Sequence, residues 1–105
     1  NIMNISVVHM KHTGTEVICD LIEMNEENMA ITIKDPQTIG VVSQEGNKVQ
    51  MGFNPFLMSC KDNIIHISLN DILFIAEASE QIAENYEQMF GVGSGLIQPK
   101  SKIIT

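Results

Sequence analysis

The chain has 105 residues, 44% of them hydrophobic, and a formal net charge of −7 from 13 Asp and Glu against 6 Lys. That length suits one compact domain with a modest core. The acid excess argues against a broad, sequence-blind grip on phosphate backbones. No apolar run approaches the roughly 18 residues of a membrane span, and the N-terminal residues lack the basic, apolar, small-residue order of a signal peptide. A cytoplasmic location is therefore expected. Cys19 and Cys60 lie far apart and form no CxxC pair, so a zinc ribbon or thioredoxin-type motif is absent. Both sit beside apolar residues and read as buried free thiols, with one disulfide as the alternative.

Strand patterns dominate the first three quarters of the chain. Residues 5–11 form a first run, apolar on both faces, with Ile5 and Val7 on one and Val8 and Met10 on the other. Thr13-Gly14 marks a turn. Residues 16–24 form a second strand, with Val17, Cys19 and Leu21 pointing one way and Ile18, Asp20 and Ile22 the other. Asn25-Glu26-Glu27 turns the chain into a third strand over 28–34, where Met29, Ile31 and Ile33 alternate with small or polar residues. Parity places Met29 toward the core. Asp35-Pro36 is expected to end this strand, because proline removes a ladder donor.

Residues 38–43 are apolar and β-branched. Gly46-Asn47 suits the positive φ of a primed hairpin turn, and Val49, Met51 and Phe53 then alternate with Lys48, Gln50 and Gly52. Asn54-Pro55 breaks the run. Residues 64–68 and 72–75 read as two short, nearly continuous apolar strands around a tight Leu69-Asn70-Asp71 corner. The period then changes: Ile82, Tyr86 and Met89 recur at helical spacing over about 79–90, with Ser79 as N-cap, Glu80, Glu84 and Glu87 on the wet face, and Gly91 beyond the end. Residues 1–91 thus form a single domain. The tail over 92–105 opens in Gly-Val-Gly-Ser-Gly and reads as flexible, with Ile103-Ile104 able to dock.

The stretch "TGTEVICDLIEMNEENMAITI" resembles the first motif of the Sm-like (Sm/LSm) family, through Gly14, Val17, Leu21, Asn25 and the Asn28-Met29 pair. "IHISLNDILFI" resembles the second, through Ile67, Ile72 and Ile75. The chain departs from the family pattern where Cys19 replaces a glycine, Asn25 an aspartate, and Ser68-Leu69 an Arg-Gly pair. Asn28-Met29 is also in reversed order, and the helix lies at the C-terminus rather than the N-terminus. The general style is similar to small phage-encoded Sm-like proteins. The resemblance implies a mainly β fold, a small, strongly bent antiparallel β-barrel with a C-terminal helix. It also implies a homo-oligomeric ring closed by edges carrying Ile64, Ile65, His66, Ile67, Ile72, Leu73, Phe74 and Ile75. Two neighbouring apolar strands with open edges fit that expectation on physical grounds, since ring closure removes the edges.

By the same resemblance the inner rim binds a single strand, RNA first and DNA as the alternative, through Asn25, Asn28, Met29, Ser68 and Asn70. Single-strand recognition asks for polar edges and a stacking partner. The two motifs hold no arginine, and asparagine is also a plain turn former. Lys11 and His12 flank the first turn and can assist. The acidic cluster Asp20, Glu23, Glu26 and Glu27 matches no cation-loop spacing. His9 and His12 tend to opposite faces, His66 reads as a satisfied core or interface histidine, and a Cys60–His66 nucleophile–base pair has nothing to orient it. No metal, cofactor or catalysis is expected. The alternative function is a structural, protein-holding ring that binds no nucleic acid, with the acidic helix face selecting a basic protein.

Overall fold

The computed structural model describes residues 2–91 and 102–103. Seven strands and one helix follow in order: β1 (Ile5–Met10), β2 (Glu16–Asn25), β3 (Ala30–Glu45), β4 (Lys48–Pro55), β5 (Ile64–Ser68), β6 (Ile72–Glu77), α1 (Glu80–Phe90) and β7 (Lys102–Ile103). The sheet runs β6-β1-β2-β3-β4-β7, and β5 pairs with β3. Every pairing is antiparallel. The fold is mainly β with a helix after the sixth strand. The expectation of a flexible tail falls outside the described residues, apart from the two that pair as β7 with Gly52 and Phe53.

The sheet does not close into the expected barrel. β5 and β6 are joined by the three-residue turn Leu69–Asp71, yet β5 pairs with β3 and β6 with β1. The reason lies in the turn's backbone. Leu69 N donates to Met29 O, and Lys11 N donates to Asp71 O, both at 2.8 Å. The corner is spent on bridging two other turns, so its strands leave in different directions and their outer edges stay open.

Period-two patterning on β1 and β2 builds two apolar clusters, one on each side of the sheet. The first gathers Val8, Val17, Cys19, Ile31, Ile33 and Ile67. The second gathers Ile18, Phe53, Tyr86 and Met89, with Met3, Ile5, Val7, Ile82 and Phe90 around it. Helix α1 therefore covers the back of β1, β2 and the base of β4 with its Ile82, Tyr86 and Met89 stripe. Ser79 caps it by accepting from Ile82 N at 3.4 Å. At its other end Gly91 is required for closeness, since a Cβ there would lie 2.5 Å from the Glu87 carbonyl oxygen.

Pro36 does not end the third strand, which continues to Glu45. Asp35 takes φ +49°, an outlier for a non-glycine residue, and kinks the strand. Before the kink β3 pairs with β2 and β5; after it, β3 pairs with β4 and touches β2 only through Gln37. The Tyr86 hydroxyl donates toward both carbonyls at the kink, Lys34 O at 3.0 Å and Asp35 O at 2.9 Å. Burial holds the Asp35 carboxyl above its usual range, against the opposing pull of Lys34 and of an Asn63 hydrogen bond. A carboxyl raised in the folded state favours folding when protonated, so its contribution is full in acid and lost as pH rises. Asp35→Asn removes that penalty and suits the left-handed φ. It is expected to raise the thermal midpoint by a few degrees at neutral pH, with the difference from wild type shrinking as the solution is acidified.

Candidate nucleic-acid interface

Three turns meet at one corner. The β2–β3 turn over Glu26–Met29 and the β1–β2 turn over 11–15 are both tied to Leu69–Asp71 by the backbone bonds already given. Strand register extends the corner, because Asn25 faces Ala30 and Ala30 faces Ser68. All five residues assigned to the rim are thus brought together at one end of the sheet.

Their chemistry divides in two. The Asn25 side-chain oxygen accepts from Asn28 N at 3.0 Å, and Ser68 Oγ accepts from Asn70 N at 3.2 Å. These two side chains shape the turns. Asn28 and Asn70 are exposed, and their side-chain amides make no hydrogen bond among the described residues, so both offer donor and acceptor to solvent. Met29 corrects the parity expectation. It sits in the turn at φ +52° and is 49% exposed, because the positive φ breaks the alternation before β3 begins. It is the apolar surface of the corner. The corner's ring is the His12 imidazole; no Phe or Tyr lies in its three turns, and the exposed Phe74 on β6 stacks on His9 at 4.8 Å.

The corner's charge is mixed and leans acidic. His12 Nε2 lies 3.5 Å from the Asp71 carboxylate, with Lys11 beside it and Glu26 and Glu27 on the neighbouring turn. Asp71 is a residue that the motif pattern left unassigned. Its signal was the turn-forming Asn-Asp step that also aligns Lys11 and His12.

The eight edge residues split between inside and outside, by alternation on β5 and by way of a bulge at Leu73 on β6. Ile65, Ile67, Ile72 and Ile75 pack into the first cluster and offer a neighbour only their backbone. Ile64, His66, Leu73 and Phe74 point outward, with Leu73 60% exposed. His66 Nδ1 lies 2.8 Å from Thr32 Oγ1, so the histidine is held by its neighbouring strand and is not oriented by Cys60. The thiols also differ from expectation. Cys19 is buried, but Cys60 is exposed on the loop after β4 and both are free. Burial, helped by Asp20, pushes the Cys19 thiol up to about 12, so it remains protonated and unreactive at neutral pH. Among the described residues no group of three or more His, Cys, Asp or Glu could hold a metal ion, and no helix is long and apolar enough to cross a membrane.

A small, strongly bent antiparallel sheet with a corner of polar turns beside two open edges defines the class of fold. The Sm_like domain model matches residues 7–87, most of the 105-residue chain, and the chain belongs to the Sm-like family. No curated protein matches it.

Proposed function

We propose that the protein is a non-catalytic, single-strand-binding subunit that works as a homo-oligomeric ring, with RNA as its ligand. One observation carries the reading: the outer edges of β5 and β6 are unpaired within the described chain, and the turn between them anchors the Asn25–Met29 and Lys11–His12 segments. Joining β5 of one copy to β6 of the next satisfies both edges. It also repeats the polar corner around one opening. Asn28 and Asn70 then read base edges, and Met29 supplies apolar contact to an unstacked base.

The acidic balance shapes how such a ring binds. Few phosphates can be neutralised here, so affinity rests on base contacts and falls only shallowly with salt. Filter binding with short single-stranded oligonucleotides at low and high salt tests the reading. Asn28→Ala and Asn70→Ala should each weaken binding by roughly tenfold, the worth of one or two hydrogen bonds, with folding unchanged. An absence of binding at low salt would sink it. The second reading, a ring that only holds proteins, draws on the absence of Phe, Tyr and Arg from the three turns of the corner and on the exposed Glu80, Glu84 and Glu87 of α1. A basic protein captured by wild type but lost on reversing those three charges, with no nucleic acid bound, decides for it.

A further inference from the structure

The second half of β3 and β4 form a hairpin that extends past both apolar clusters. Ile39 faces Phe53 and Val41 faces Met51 across it, and Val49 lies two residues from Met51 on the same strand. These side chains therefore share one face. Phe53 at the base is fully buried against Tyr86, but Ile39, Val41, Val49 and Met51 are all between 39% and 53% exposed. The reverse face is polar: Ser43 Oγ lies 2.9 Å from Gln50 Oε1, and Glu45 stands opposite Lys48. Beyond Gly52, where β7 pairs with β4, the ribbon has two strands, which are marginal by themselves and need a further layer on their dry face.

Charge indicates what that layer is. Residues 37–55 hold one Glu and one Lys, a formal sum of zero, so the whole net charge of −7 lies elsewhere on the chain. A second copy approaching the acidic helix or the acidic turns meets like charge. On this face it meets none, and a strongly charged partner finds nothing to pair with. We propose that the stripe is a self-docking surface, on which a second copy of this chain lays its own hairpin about a two-fold axis. The two ribbons become a two-layer sandwich with a shared dry interior. Four half-exposed side chains bury less than the roughly 800 Å² per partner of a standard stable interface. The pairing of two isolated chains is accordingly weak, and it gains by multivalency wherever copies are already joined through β5 and β6. It does not depend on that joining.

Sedimentation equilibrium and native mass spectrometry of the full chain test the proposal. Wild type should contain an even number of copies. Val41→Glu should halve that mass and weaken self-association by about tenfold or more, because it places an unpaired carboxylate in the dry layer. In a Cys60→Ser background, Val41→Cys should be joined into dimers by a short bis-maleimide, whereas Ser43→Cys on the polar face should not. A mass unchanged by Val41→Glu overturns the proposal, since another occupant then covers the stripe. Equal crosslinking from both faces, or a mass that grows without limit, overturns it as well.

Discussion

Tyr86→Ala is expected to leave the chain unfolded or nearly so at ambient temperature, and Tyr86→Phe to cost about 1–3 kcal/mol. The ring is fully buried. It meets Phe53 edge-on with centroids 6.2 Å apart and Phe90 at 4.8 Å, so truncation opens a cavity in the middle of the second cluster. Loss of a buried aromatic costs about 3–5 kcal/mol, against a total of roughly 5–15 kcal/mol for a domain of this size. The hydroxyl has a separate role. It donates to the two carbonyls at the kink of Asp35, and in Tyr86→Phe one or both lose this partner in a part-buried site. Burial also raises the tyrosine's own pKa, helped by Asp35, so the group stays a donor across the working pH range. Urea unfolding of the two variants separates the contributions. If Tyr86→Phe matched wild type, the carbonyls at the kink would have another source of hydrogen bonds.

That contact marks where local pattern stops being informative. Alternation on β1 and β2 identified both apolar faces, because side chains keep their period along β1 and along β2 as far as the bulge after Leu21. The stripe of α1 and its Ser79 cap were equally legible, each being a short-range signal. Two positive-φ residues account for the main misreadings. At Met29 the left-handed turn cancels the parity of the strand that follows, and a residue expected inside lies outside. At Asp35 the kink lets proline sit in a continuing strand, and it is stabilised by a hydroxyl 51 residues further on. No window of neighbouring residues contains that information. Barrel closure was misjudged for a related reason. The corner Leu69–Asp71 was visible, but the bonds that turn it toward Met29 and Lys11 are tertiary. At the candidate site, clustering of Asn25, Asn28, Ser68 and Asn70 followed from the family pattern. The split between turn-shaping and outward-facing amides did not, since it depends on which oxygen accepts which backbone N–H.

Leu73→Asp is expected to abolish ring assembly and single-strand binding together while leaving the monomer folded. Leu73 falls at the bulge where the β1–β6 register shifts, and it is 60% exposed, so the single chain loses little by the change. In the proposed β5-to-β6 junction the same side chain would be buried. Losing its transfer from water costs about 2 kcal/mol per junction, and desolvating a carboxylate in its place costs more. A closed ring carries that penalty at every junction at once, so assembly should collapse rather than weaken by degrees. Binding follows assembly because one corner offers only a few base contacts, whereas a ring offers many to the same strand. Light scattering and filter binding on one preparation make the comparison. Val41→Glu is the counterpart: it should halve a doubled assembly and leave binding by each ring intact. A Leu73→Asp chain that stayed oligomeric would move the junction away from β6. A monomer that still bound RNA at wild-type strength would place recognition within a single corner, and the shared opening would then have no part in it.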